Sequence, residues 1–339
     1  MRPVDNPPNP WQSSHVDWLG EPPDQPLAIY EEDAKSIVSE NDSPDLPFRW
    51  TLNPYRGCFH GCAYCYARPS HQYLGFGAGT DFERRIVVKK YAAQLLRQQL
   101  MRASWNGEPI MFSGVTDCYQ PLEASYRLTR ACLEVCREFR QPVDIITKGA
   151  LVERDVDLLA ELARHGAARV FVSIPFADAA DSRAIEPFVA SPERRFAALR
   201  TLADAGVPVG VSVSPLIPGL NDHQVPEILE RAKAAGARHA FHILLRLPAE
   251  VEEVFEARLR AAFPLRADKV LSLLAAMRGG TLKDARFHSR FRGQGPRWDV
   301  VEALFRKVAT KLGLTPRTAR PASSFRRPFQ QQGLFGDGR

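Results

Sequence analysis

Between residues 48 and 248, six short apolar runs alternate with stretches whose apolar residues recur at helical spacing, and few folds accommodate that alternation. FRWTLNP (48–54), EPIMFSG (108–114), PVDIITK (142–148), ARVFVSIP (168–175), PVGVSVSPLIPG (208–219) and HAFHILLRLP (239–248) read as strands. A helix is expected over 84–103, where Val88, Tyr91, Leu95, Leu96 and Leu100 keep a helical period, and others at 124–139, 153–165, 191–206 and 223–235. Ser191, Pro192 and Gly206 punctuate the fourth of these, and Asn221 or Asp222 is the expected cap of the fifth. Strand–helix units with short connections predict a parallel sheet closed or nearly closed into a six-unit α/β barrel. Chemistry in such a fold gathers at the C-terminal ends of the strands.

The first strand runs into CFHGCAYC, so three thiols, Cys58, Cys62 and Cys65, fall within eight residues at that end. Iron–sulfur clusters ordinarily take four protein sulfurs, so a three-thiolate run leaves one iron of a cubane open to another ligand. The alternative is a structural zinc site completed by His60 or a distant residue. Zinc sites usually pair two Cys or Cys/His hooks, and no second hook appears. Cys132 and Cys136 sit one helical turn apart in ACLEVCREF and read as small core residues.

Other strand ends carry polar groups that a core strand does not require. Ser113 and Gly114 allow close backbone approach to a ligand, and Thr116 and Asp117 offer a hydroxyl and a carboxylate. Asp117 equally suits the cap of the following helix. Lys148 ends the third strand and faces either a carboxylate in the site or solvent, and Ser173 ends the fourth. Tyr64 is placed to flank a flat ring, or to pack. Cys118 follows Asp117 and is either a hydrogen donor in the site or an inert packing residue.

Taken in order, NPYRGCFHGCAYCYARPSH, FSGVTDCYQPLE, ITKG and VSVSPLIPGLND resemble the spore photoproduct lyase-like branch of the radical S-adenosylmethionine (SAM) superfamily, and within it the PA0069/Rv2578c-family proteins. The resemblance covers roughly residues 48 to 260. It implies a partial (β/α)6, TIM-like radical SAM barrel, a [4Fe–4S] cluster on Cys58, Cys62 and Cys65, and SAM bound through its amino and carboxylate groups to the open iron. Tyr64, Ser113, Gly114, Thr116, Asp117, Lys148 and Ser173 are the residues expected around SAM. The resemblance also implies an electron donor such as flavodoxin or ferredoxin, and lyase-like or base-modifying chemistry on nucleic acid in the manner of DNA repair. The subgroup has proline where this chain has Cys118. The lyases' hydrogen-donor cysteine precedes the Thr–Asp pair, so Cys118 does not match it residue for residue.

A hydrophobic content of 45% and a charged content of 25% are those of an ordinary globular chain, and no run approaches a membrane span. The N-terminal stretch lacks the apolar segment of a secretory signal, and six cysteines without export fit a reducing, cytoplasmic setting. Residues 1–46 are expected as an extended or disordered arm, 47–265 as the barrel, 266–320 as a basic helical region and 321–339 as a flexible tail.

The net charge of +6 is uneven: residues 278–327 hold thirteen Lys/Arg against three Asp/Glu. There Arg286, Arg290, Arg292 and Arg297 interleave with Phe287, Phe291 and Trp298, a pattern suited to nucleic-acid backbone and unstacked bases, or to a solvated face with aromatics packed beneath. Near the end, Gln331, Leu334 and Phe335 resemble the Q-x-x-L-F peptide by which DNA-processing proteins dock on the replicative sliding clamp. The competing readings are a radical enzyme acting on a protein or small molecule, and a zinc-stabilised nucleic-acid-binding module without catalysis.

Overall fold

The computed structural model describes residues 6–11, 24–282, 287–316 and 323–328. Their strands are β1 (Ala28–Glu31), β2 (Val38–Glu40), β3 (Trp50–Leu52), β4 (Tyr55–Arg56), β5 (Arg85–Val88), β6 (Ile110–Phe112), β7 (Val143–Thr147), β8 (Ala168–Ser173), β9 (Val209–Leu216) and β10 (His239–Leu244). Seven form one sheet in the order β10-β9-β8-β7-β6-β3-β2. The six from β3 to β10 pair in parallel, and β2 adds antiparallel to β3. These six are the strands expected from the sequence. All six residues of β8 are buried, as a strand covered on both faces requires. Asp144 and Arg169, opposite one another in β7 and β8, form a bidentate ion pair at 2.9 and 3.1 Å inside the sheet. The polar group this buries is fully partnered.

The barrel is open. Its seam, between β10 and the β2–β3 edge, is covered by the C-terminal region. Leu244 N–H donates to Phe291 O, Ala240 N–H to Thr315 O and Thr315 N–H to Arg238 O, which satisfies the β10 edge. Beyond it, helix Pro296–Lys311 packs on helix Val225–Ala234, and helix Ala267–Met277 on Val251–Ala262. Trp298 and Phe305 of helix Pro296–Lys311 pack on the His242 ring at 5.5 and 4.2 Å.

The expected helix over 84–103 divides in two. Its first part, Arg85–Val88, is β5 of a small three-stranded sheet, and the helix begins only at Ala92. The consecutive β-branched residues Ile86, Val87 and Val88 favour a strand, and partners exist on both sides. β1 pairs with β5 in parallel and β4 pairs antiparallel, so residues 28–31 of the arm are built into this sheet. The helix expected over 124–139 breaks at Arg127, whose φ is +53°, into Glu123–Tyr126 and Leu128–Phe139. The helix at Pro192–Asp204 starts as read: Ser191 Oγ accepts from Arg194 N–H at 3.3 Å. Asn221 does not cap. It is fully buried, takes Ile217 N–H on Oδ1 and donates from Nδ2 to Pro175 O and Pro215 O, stapling the loop after β8 to the end of β9.

Candidate active site

β4 leads straight into the cysteines. Gly57 has φ +76°, and a Cβ there would lie 2.9 Å from Phe82 O and from the His71 ring, so the turn requires glycine. Cys58 N–H donates to Phe82 O, and a series of turns follows: Gly61 N–H to Cys58 O, Cys65 N–H to Cys62 O and Arg68 N–H to Cys65 O. One side chain holds this loop from inside. Arg68 is fully buried, and its guanidinium donates to the carbonyls of Gly61, Cys62, Ala78 and Gly79 and pairs with Glu83. From the other side, Ala63 N–H donates to Ile185 O and Phe188 N–H to His60 O, which docks the loop after β8 on the cysteines.

Cys58 and Cys62 are buried and Cys65 half-buried. Burial pushes the Cys62 thiol well above its ordinary value, with the charges of Cys65 and Cys58 adding to the effect. Burial, then Cys58, lifts Cys65 to about 11. Lys148 opposes this at both thiols, and Arg68 opposes it at Cys65. The three sulfurs thus share one electrostatic pocket bordered by two cations. Among the described residues no three His, Cys, Asp or Glu groups gather as ligands of a single metal ion. A cubane takes one thiolate on each of three different irons, a wider triangle, and the binding metal deprotonates each thiol. The donor set, three thiols and nearby cations, fits that group.

His60 is buried, with Nδ1 3.4 Å from Asp117 Oδ2. Burial disfavours its charged form, but Cys58 and Asp117 outweigh that and raise its pKa to about 10. For Asp117 burial alone would raise the pKa. His60 and the hydrogen bonds from Lys148 N–H and the Thr147 hydroxyl prevail and hold it near about 2. Asp117 does not cap the helix expected over 124–139, whose N-cap, Leu122, takes no side-chain hydrogen bond. Its Oδ1 accepts from Thr147 Oγ1 at 2.6 Å and Tyr119 N–H at 2.9 Å, and its Oδ2 from Lys148 N–H at 2.7 Å. The carboxylate ties the β6 and β7 ends to His60.

The remaining residues divide. Tyr64 does not offer a free face: it is buried, its hydroxyl donates to Glu186, and Lys148 Nζ lies 5.5 Å from its ring centre. Glu186 also pairs with Arg195, itself fully buried, whose Nη1 donates to Ser173 O at 3.0 Å. The exposed tyrosine is Tyr66, beside Cys65, with its hydroxyl on Gly114 O at 2.6 Å. Ser113, with φ +72°, accepts Cys118 N–H on its Oγ at 2.9 Å, and so shapes the turn. Val115 and Thr116 N–H donate to Asn53 Oδ1. Thr116 Oγ1 and Ser214 Oγ, near the ends of β6 and β9, are buried with no hydrogen-bond partner among the described residues. Gly149 needs to be glycine, since a Cβ would clash with the Tyr119 carbonyl.

Residues 52–232 match the profile of the Radical SAM superfamily. The chain belongs to the radical SAM superfamily. Its cofactors are therefore a [4Fe–4S] cluster and SAM, which sets aside the zinc-stabilised module. An uncharacterized protein of Mycobacterium tuberculosis, Rv2578c, is 38% identical over 221 residues, 65% of this chain and 65% of that protein. Just under two thirds of that relative's length is thus matched. An uncharacterized protein of Methanocaldococcus jannaschii, MJ0683, is 31% identical over 189 residues, 56% of this chain and 68% of that protein. In fold the chain is similar to spore photoproduct lyase in complex with dinucleoside spore photoproduct, with a TM-score of 0.60, 16% identity, and 85% of this chain and 81% of the lyase covered.

Cys118, weighed between a hydrogen donor and a packing residue, is enclosed. It is fully buried in the main core, Thr129 Oγ1 donates to its carbonyl, and burial together with the charges of Asp117 and Glu123 pushes its thiol well above the ordinary value. Cys132 and Cys136 are likewise fully buried core residues. Of the basic residues, Arg290 is not available to phosphate: Nε lies 2.6 Å from Asp45 Oδ2, and Nη2 donates to Ser43. Arg292 and Arg297 are exposed. Arg286, Gln331, Leu334 and Phe335 lie outside the described residues. Glu83, Glu186, Arg195 and Ser214 carry no mark in the sequence that points to the site. Arg68, three residues after Cys65, is the one whose spacing gave a signal, a helical turn bringing it back under the loop.

Proposed function

We propose that Cys58, Cys62 and Cys65 hold the cluster, that SAM lies against the ends of β6 to β9, and that the chain is an enzyme of radical chemistry on nucleic acid. Bound there, cluster and SAM would supply one-electron, radical hydrogen-abstraction chemistry toward a substrate. The chain's part is binding, orientation and exclusion of water. Lys148 supplies a fixed cation beside Cys62 and Cys65, suited to the SAM carboxylate. Thr116 Oγ1 and Ser214 Oγ are the groups a polar cofactor would satisfy, since a buried hydroxyl left alone costs free energy. Ser173 and Gly114 complete the lining. The observation that carries this reading is the gathering of three thiols and a lysine at the C-terminal ends of an open parallel barrel.

The nucleic-acid part is supported by the basic excess of residues 278–327, by exposed Arg292 and Arg297, and by the fold shared with a lyase solved with a dinucleoside lesion. The clamp peptide follows an anchor. Phe325 stacks on Phe139, Arg326 N–H donates to Phe139 O, and Arg327 Nη2 donates to the carbonyls of Arg102 and Trp105. These partners precede β6 and β7, on the face opposite the site. Clamp docking through Gln331, Leu334 and Phe335 would therefore leave the barrel mouth free. The test is release of 5′-deoxyadenosine by anaerobically reconstituted, reduced enzyme with and without DNA or RNA, with flavodoxin or ferredoxin as electron donor. Stimulation by nucleic acid, lost on Arg292→Gln with Arg297→Gln and steeply salt-dependent, is expected. SAM cleavage indifferent to every nucleic acid would move the substrate to a protein or small molecule.

A further inference from the structure

Five side chains alternate along the mouth of the barrel: Tyr66, Arg246, Phe291, Arg290 and Phe287. The Arg246 guanidinium lies 6.0 Å from the Phe291 ring centre, and Arg290 lies 5.0 Å from Phe291 and 4.7 Å from Phe287. At the near end Arg246 follows Leu244, the last residue of β10, and so stands at the C-terminal ends of the strands, where Tyr66, the residue after Cys65, also lies. The row starts beside the thiols and runs out along the segment that covers the seam.

Its two end rings are wet. Tyr66 is 53% exposed and Phe287 55%. Exposed aromatics of this size lose hydrophobic free energy, yet both are held in place. The Tyr66 hydroxyl is tied to Gly114 O. Phe291 is fixed through its carbonyl, which accepts Leu244 N–H at 3.3 Å. Arg290, between the two phenylalanines, is clamped by Asp45, which also accepts His288 N–H at 2.6 Å. Neutralised by Asp45 and covered by the two rings, Arg290 holds the phenylalanines in place rather than serving as a phosphate ligand. Exposed Arg292, two residues beyond Arg290, supplies a charge with no ion-pair partner among the described residues.

We propose that this row is a stacking rail that seats unstacked bases of a single-stranded nucleic acid at the entrance to the site, with Phe287 as its outer platform. This rests on the nucleic-acid reading above and narrows it to single strands or flipped-out bases. Ring faces and guanidinium planes stack any base, while phosphates follow the flanking charge.

The test uses reconstituted full-length protein and a single-stranded oligonucleotide carrying 2-aminopurine. Wild-type protein is expected to quench the fluorophore and to bind the single strand more tightly than the same sequence as duplex. Phe287→Ala should weaken binding about tenfold and lose the quench with the salt slope unchanged, the scale of one base–aromatic stack. Phe287→Tyr should restore both, and basal SAM cleavage should be unaltered in either variant. Salt-dependent binding by wild type with no change in Phe287→Ala would overturn the rail and leave the nucleic-acid reading standing. No binding by wild type would overturn both.

Discussion

Replacing Arg68 by Met keeps much of its volume and removes the charge. In the folded protein the guanidinium meets four backbone carbonyls and the Glu83 carboxylate, all shielded from water. Removing one partner of a buried ion pair costs about 3–5 kcal/mol, because the other charge is left without compensation. Carbonyls stripped of donors would add to this, offset where water enters the loop. The expected loss is therefore about 4 kcal/mol, a large share of the roughly 5–15 kcal/mol that holds a typical protein folded. Denaturant unfolding of the metal-free protein measures it without interference from the cluster. Arg68→Met with Glu83→Gln should recover about half, since the stranded charge goes but the carbonyls stay unpaired. Both variants should take up little iron on reconstitution. Arg68→Met within about 1 kcal/mol of wild type and with full iron uptake would refute the idea that this side chain builds the loop.

His71 is fully buried against Phe76 and Phe82, and burial lowers its pKa to about 4. The unfolded chain takes up a proton near pH 6.5 that the folded chain refuses until about pH 4. Stability is thus full above pH 6.5 and falls between pH 6.5 and 4, by up to about 3 kcal/mol, while His71→Gln should flatten that slope in pH-dependent melting curves. Cys118→Ala should cost about 1 kcal/mol in unfolding assays and leave SAM cleavage and any product turnover unchanged, since the thiol faces the core. Leu334→Ala with Phe335→Ala should abolish sliding-clamp association in a pull-down without altering nucleic-acid affinity.

Much of the barrel is legible because strand and helix periods are local. Buried parallel strands such as Ala168–Ser173 are near-continuous apolar runs, and Ser191-Pro192 marks a helix start wherever it falls. Arg85–Val88 is not, because its strand depends on β1 and β4, more than twenty-five residues upstream. The cysteines could be read from spacing alone. The choice between Tyr64 and Tyr66 could not, since Tyr64 is captured by Glu186, 122 residues later in the chain. Asp117 and Arg290 look like uncommitted charges in the sequence, and each has a partner far along the chain, His60 and Asp45, that only the fold reveals.

The most direct measurement is iron and 5′-deoxyadenosine in wild type and single cysteine variants after anaerobic reconstitution with iron and sulfide. Wild type and Cys132→Ala should carry about four irons and cleave SAM on reduction, while Cys58→Ala, Cys62→Ala and Cys65→Ala should each lose the [4Fe–4S] cluster and the activity. Stoichiometric zinc with no iron in the wild type, or SAM cleavage that survives loss of any of the three thiols, would contradict a cluster held by Cys58, Cys62 and Cys65.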